Sequence, residues 1–211
     1  MTERAFTPAT GRFLPTCFFD SVAALTRERL WRALVVMHVA PRPGDVLVDV
    51  GCGTGSLALL LRHTEPGTRI IGVDPDPGVL AIARRKDANA AVEWRVGMGD
   101  ERVPVEADAV VSSLVLHQCP MAMKRAVLAS MFAALRPGGR LVIADYGKQR
   151  TALMRWGFRV VQLADGKADT QPNADGVLPR LIAEAGFAEV REAEVVPTVT
   201  GSISVYTARR G

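Results

Sequence analysis

The chain has 211 residues, enough for one α/β domain with a full hydrophobic core. Its 26 basic and 22 acidic side chains give a formal net charge of +4, and the basic residues are scattered, which argues against a nucleic-acid partner. Three cysteines without a CxxC pair argue against a disulfide framework and a metal site, and no apolar run is long enough to span a bilayer. We therefore expect a cytoplasmic protein.

The first predicted helix covers residues 21–39 and follows an aromatic pair, Phe18 and Phe19. Its apolar residues fall near one face, and basic residues form its polar side. Three roles remain open: a lid packed on the domain, a lid whose aromatic pair touches the ligand, or a basic helix on a membrane surface, which we favour least. We divide the chain into a lid segment, residues 1–40, and a single domain, residues 41–211.

The first predicted strand, residues 46–50, is an apolar β-branched run broken only by Asp49. A glycine-rich turn over residues 51–55 follows, and Leu57 begins a helix. Glycine lets a ligand lie against the backbone, and a helix N-terminus presents free N–H groups. This unit predicts a nucleotide-cofactor site at the carboxyl end of the first strand. The alternative is a tight turn without a ligand, and the stretch does not say which cofactor binds.

A second apolar run, residues 68–73, ends at Asp74, which lies 25 positions after Asp49 and so completes one βαβ unit. An acidic side chain at this strand tip is placed to accept both ribose hydroxyls of an adenosine, and it disfavours a 2′-phosphorylated cofactor. The alternative is that Asp74 only caps the next helix. Asp76, followed by Pro77, is better placed for that cap.

The third predicted strand, residues 92–96, leads into a loop whose Met98 either packs on an adenine ring or makes ordinary contacts. The fourth, residues 108–116, is followed by His117. Imidazole titrates near neutrality, so His117 is the best candidate for a general base. The competing interpretation is a structural hydrogen-bonding residue at a helix entrance.

The remaining segments continue the alternation, with Tyr146 after the fifth strand, where it could position a substrate hydroxyl or amine. Alternating strands and helices predict a doubly wound parallel sheet that ends in an antiparallel edge hairpin. Right-handed crossovers place all the strand ends on one rim. The predicted segments are a helix at 120–135, a turn at 136–139, a strand at 140–144, a helix at 151–163, a loop at 165–175, a helix at 176–185 and hairpin strands at 188–197 and 202–208.

Four segments, residues 46–55, 70–75, 112–117 and 135–141, carry a family resemblance. They read VLVDVGCGTG, IIGVDP, SSLVLH and LRPGGRL, and in this order and spacing they resemble the class I S-adenosylmethionine-dependent methyltransferases. The likeness is nearest to small-molecule enzymes of the ubiquinone/menaquinone-methylating type. It implies a Rossmann-like sheet of seven strands whose last strand is inserted antiparallel, and it argues against a hydride-transferring dinucleotide enzyme.

The resemblance also implies the cofactor, S-adenosyl-L-methionine, and residues that hold it. The glycine turn would pass under the methionine part, with Asp49 orienting its amino group. Asp74 would hold the ribose. Many relatives have Gly-Asp in the third-strand loop. This chain lacks that pair, so Asp100 is a second candidate for the adenine amino group. Relatives also often have a Tyr at the position of Phe19. The implied cofactor-binding residues are Phe19, Asp49, Gly51, Cys52, Gly53, Gly55, Asp74, Pro75, Met98, Gly99, Ser113 and Leu114.

Methyl transfer from a sulfonium is an in-line displacement, so the protein mainly aligns the acceptor and excludes water. We expect a small-molecule acceptor between the N-terminal helix and residues 146–175, and a monomer or homodimer. One alternative is a lipid-headgroup, phosphatidylethanolamine-type N-methyltransferase that binds a membrane surface through residues 21–39. Another is a non-catalytic cofactor-binding subunit.

Overall fold

The computed structural model describes residues 27–101 and 103–211. Its centre is a seven-stranded sheet in the order β3-β2-β1-β4-β5-β7-β6. Only β7 runs antiparallel, since it pairs in that sense with both β5 and β6. The predicted fold class and the inserted antiparallel last strand are confirmed. The strands are β1 Val46–Val50, β2 Arg69–Asp74, β3 Val92–Val96, β4 Ala107–Ser113, β5 Leu135–Tyr146, β6 Ala188–Thr198 and β7 Gly201–Arg209.

Seven α-helices of the described part connect and cover these strands. A short 3₁₀ turn at Leu116–Gln118 links β4 to the next helix. Within the described ranges, every helix is too short or too polar to traverse a bilayer. The helices are α1 Glu28–Val39, α2 Ser56–Thr64, α3 Pro77–Lys86, α4 Met121–Ala134, α5 Ala152–Asp165, α6 Lys167–Ala174 and α7 Leu178–Glu184.

The two faces of the sheet carry separate apolar clusters because successive side chains of a strand point to opposite faces. On β1, Val48 packs in the cluster that contains Leu128 of α4. Leu47 packs on the other face, with Trp31 of α1 and Leu61 of α2. Asp49 follows the alternation onto this second face, beneath the helices that flank the glycine turn.

Helix α1 uses its apolar face to cover the sheet. Trp31, Val35 and Val39 are buried, while Leu30 and Met37 are its exposed large apolar side chains. The described part of the predicted 21–39 helix therefore offers little apolar surface to a membrane.

The predicted turn at 136–139 was wrong, since these residues belong to β5. Two further predicted segments were wrong for reasons of tertiary structure. The fourth strand ends at Ser113 because Leu114 has φ 56°, a left-handed conformation, and its N–H donates to the Ala144 carbonyl at 2.9 Å. The predicted loop 165–175 contains helix α6 despite Pro172. Burial of Asn173, whose amide donates to the Tyr146 carbonyl at 3.1 Å, ties this helix to the end of β5.

Candidate cofactor and acceptor site

The glycine turn is tied to the end of β2. The N–H groups of Gly51 and Cys52 donate to the Val73 carbonyl at 2.8 and 3.1 Å. Gly51, Gly53 and Gly55 all have positive φ, at 72°, 53° and 78°. The turn therefore has a backbone conformation that glycine adopts without strain.

The three glycines differ in what surrounds them. A Cβ at position 51 would lie 2.3 Å from Val115 Cγ2, and one at position 55 would lie 2.4 Å from Trp94 Cη2. A Cβ at position 53 would meet no described residue within 4 Å. Packing thus requires glycine at the two outer positions, whereas Gly53 faces open space in which a ligand can lie.

Asp74 braces the same turn from the end of β2. Its Oδ2 accepts the Gly53 N–H at 2.8 Å, and its Oδ1 accepts the Asp76 N–H at 2.9 Å. Burial raises the pKa of the Asp74 carboxyl, and these two hydrogen bonds oppose that rise. Asp76 accepts the Gly78 N–H at 2.7 Å and caps α3, as predicted. Sequence reasoning missed the bond between Asp74 and Gly53, which no local pattern marks.

Asp49 lies fully buried below the turn, and among the described residues neither of its carboxylate oxygens has a hydrogen-bond partner. Burial raises its pKa to about 7; the charge of Arg32 lowers it, and that of Asp74 raises it further. The Ala58 N–H also lowers the pKa of Asp49, but it does so less than the charge of Arg32, and it does not meet hydrogen-bond geometry. An unsatisfied buried carboxylate is costly, so this position fits a site that receives a cationic group.

The other predicted cofactor residues of the described part lie near the carboxyl ends of the same parallel strands. Burial holds the pKa of the Cys52 thiol far above its usual range, which leaves the thiol neutral. The Gly97 N–H donates to the Asp74 carbonyl at 3.2 Å, so the loop after β3 is held beside the tip of β2. Phe19 lies outside the described residues. The half-buried members are Pro75, Met98, Gly99, Ser113 and Leu114.

His117 lies buried between two carboxylates. Its Nδ1 is 2.7 Å from Asp145 Oδ1, and its Nε2 is 3.4 Å from Asp165 Oδ2 on α5. Burial by itself would lower the pKa of His117, but the charges of Asp145 and Asp165 and their hydrogen bonds outweigh it and raise the pKa to about 9. A protonated imidazole cannot accept a proton, so the geometry favours the structural interpretation over the general base.

Asp145 and Lys124 fix the backbone around this histidine. The two oxygens of Asp145 accept the N–H groups of Leu116 and Tyr146, both at 2.7 Å. Sequence reasoning missed these roles; only Asp145, directly after a buried strand, carried a local signal. The buried Lys124 ammonium donates to several backbone carbonyls, among them those of Leu116, Cys119 and Asp169.

Tyr146 is buried at the end of β5. Its hydroxyl lies 2.9 Å from Thr200 Oγ1, and its ring packs against His117 and Phe158 with centroids 5.0 and 5.2 Å away. Burial raises its pKa to about 12, so the hydroxyl stays neutral. In this arrangement Tyr146 supports the wall of the site, and its hydroxyl already has a partner.

The ion cluster predicts a pH-dependent stability for His117→Gln. The folded pKa of about 9 lies above the unfolded value of about 6.5. The histidine therefore contributes stability that is fully present below pH 6.5 and lost as pH rises through 9. We expect the substitution to cost about 3 kcal/mol near pH 6 and far less near pH 10, measured by urea unfolding. His63→Gln, at an exposed site, is the control. A cost independent of pH would contradict the charged cluster.

The comparisons with known proteins bear on the family and the fold of this chain. A family model described as "Methyltransferase domain" matches residues 47–139, which span β1 to the start of β5. A ubiquinone/menaquinone biosynthesis C-methyltransferase of Geobacter sulfurreducens is 30% identical over 65% of this chain and 56% of its own. Residues 47–139 are therefore similar to a methyltransferase domain. The predicted resemblance to the class I S-adenosylmethionine-dependent methyltransferases, nearest to the ubiquinone/menaquinone-methylating type, is confirmed.

Two further comparisons also point to methyltransferases. A malonyl-[acyl-carrier protein] O-methyltransferase of Serratia marcescens is 34% identical over 66% of this chain and 50% of its own. A solved structure, magnesium protoporphyrin IX methyltransferase from Synechocystis with bound SAH, superposes with a TM-score of 0.72 at 18% identity, covering 94% and 90% of the two chains, and supports the fold. The chain spans about half the length of the curated relatives it matches.

S-adenosylmethionine is the cofactor of this family, and the described residues fit it. The orphaned Asp49 carboxylate suits an amino group, the open side of Gly53 leaves room for a chain against the backbone, and Asp74 stands at the strand tip that suits a ribose.

Proposed function

We propose that this protein transfers the methyl group of S-adenosylmethionine to a small-molecule acceptor by in-line displacement. One observation carries the proposal: the side of the glycine turn that stays open, at Gly53, lies next to Asp74 and above the unsatisfied Asp49 carboxylate. Among the described residues no packing contact requires glycine at position 53, in contrast to Gly51 and Gly55.

The cofactor-binding residues act by position and charge. Asp74 would accept ribose hydroxyls while its bond to Gly53 keeps the turn in place. Asp49 would supply negative charge to the amino group, and Met98 with Gly99 would flank adenine. Ser113 and Leu114 would close the methionine pocket at the end of β4. When bound, S-adenosylmethionine supplies a methyl group on a sulfonium, which is already a good leaving group.

The acceptor would lie beside the carboxyl ends of β4 and β5. His117 is held by Asp145 and Asp165, and the hydroxyl of Tyr146 is held near Thr200. These residues form one wall of the proposed site, in which His117 is protonated and the Tyr146 hydroxyl has a partner, so neither is suited to take a proton from an acceptor. We therefore infer that alignment and exclusion of water carry the rate, with His117 as a positioning residue. A cytoplasmic location stays a prediction.

The proposal is tested by measuring both cofactor binding and methyl transfer. We expect the purified chain to bind S-adenosylmethionine and S-adenosylhomocysteine in calorimetry. We also expect transfer of radiolabelled methyl groups to at least one acceptor in a panel of aromatic hydroxyls, amines and activated ring carbons. Absence of heat with both compounds would refute the proposal. Binding without transfer to any acceptor class would instead support the non-catalytic subunit.

A further inference from the structure

Helix α5 exposes a continuous apolar stripe. Its four members lie three or four residues apart, so they share one face of the helix. The opposite face is buried through Phe158 and Val161. The stripe consists of Leu153, Trp156, Val160 and Leu163, which are 77%, 70%, 61% and 84% exposed among the described residues.

Basic side chains flank the stripe on one side. Arg155 and Arg159 on α5 and Lys167 on α6 line a cavity of about 150 Å³ between the two helices, and none of its lining residues in the described part is acidic. The only acidic residue of positions 148–167 is Asp165, which faces His117. Among the described residues, neither Arg159 nor Lys167 has an ion-pair partner.

We propose that α5 is a docking surface for an anionic lipid bilayer. The apolar stripe would enter the interface between headgroups and acyl chains, and the cavity of Arg155, Arg159 and Lys167 would hold a phosphate headgroup. Trp and Leu side chains on one face with basic residues beside them are the features of helices that lie in a membrane interface. The site requires neither S-adenosylmethionine nor methyl transfer.

Charge complementarity favours an anionic bilayer over a second copy of the chain and over residues 1–26 as the occupant of this surface. An antiparallel two-fold contact between copies through the stripe would bring the Arg155 and Arg159 rows of the two chains close together, and like charges repel. Residues 1–26 contain two acidic and two basic side chains, so that segment has no acidic excess to offer the cavity. An anionic bilayer satisfies the apolar and the cationic parts together.

The test is flotation of the full chain with vesicles of phosphatidylglycerol mixed with phosphatidylcholine, and with phosphatidylcholine alone. We expect binding to the anionic vesicles, weakened by high salt. Leu153→Ser with Leu163→Ser, and separately Arg155→Gln with Arg159→Gln, should each weaken binding by at least about tenfold. Leu30→Ser with Met37→Ser on α1 is the matched control and should bind as the wild type does.

A fluorescence readout keeps the result independent of folding defects. Trp156 is the exposed member of three tryptophans, so vesicles should shift its emission to the blue. Trp156→Phe should abolish most of that shift while flotation persists. Equal binding to both vesicle types would overturn the proposal, as would thermal stabilisation by inorganic phosphate without vesicle binding. A dimer lost in the Leu153→Ser, Leu163→Ser variant, without vesicle binding, would assign the surface to a second copy.

Discussion

Gly53→Val is expected to raise the dissociation constant for S-adenosylhomocysteine by at least about a hundredfold, which is about 2.8 kcal/mol. The new side chain would occupy the space beside the turn, where an added Cβ meets no described residue within 4 Å. It would therefore extend into the volume assigned to the methionine part. Isothermal titration calorimetry on the folded variant measures the loss.

The backbone strain of that substitution needs its own control. Gly53 has φ 53°, and a side chain in this conformation costs about 1–2 kcal/mol in any case. Gly138→Val, at φ 73° with its nearest neighbour the flexible end of Arg136, introduces similar strain away from the site. We expect the Gly138 variant to lose comparable stability and keep normal affinity. Normal affinity in the Gly53 variant would show that the turn does not lie under the ligand.

Asp74→Ala should weaken binding of the same compound by about 2 kcal/mol or more, roughly thirtyfold. The substitution removes charge-assisted bonds to two ribose hydroxyls and also the brace on the Gly53 N–H, which Asp74 accepts at 2.8 Å. Asp74→Asn removes the charge and leaves one acceptor: its amide oxygen can accept the Gly53 N–H, while the Asp76 N–H loses its acceptor. We expect the Asn variant to bind adenosine-containing ligands poorly while the bond to Gly53 is kept.

The control for Asp74 is its neighbour in the same loop. Asp76→Ala removes the cap on α3 and should cost about 1 kcal/mol of stability without changing affinity. An Asp74→Ala variant with wild-type calorimetric affinity would remove the ribose assignment, although the methyltransferase fold would stand.

Local patterns were sufficient for the parts of the fold that local physics controls. Three of these parts are short-range features: the β-branched run at 46–50, the glycines after it and the carboxylate at Asp74. They meet at the carboxyl ends of β1 and β2, as predicted. The cap at Asp76 was likewise predictable from the sequence, since a capping side chain accepts a hydrogen bond from a backbone N–H two residues away.

The sequence by itself determined the alternation of strands and helices and the resemblance to the methyltransferases, and it predicted a cofactor site at the carboxyl ends of the strands. Only the tertiary structure decided that Gly53 faces open space while Gly51 and Gly55 are packed, because Val115 and Trp94 come from distant segments. It also decided the state of His117, whose partner Asp145 is 28 positions away. A pKa and a packing contact depend on which segments fold together, and local propensities carry no record of that.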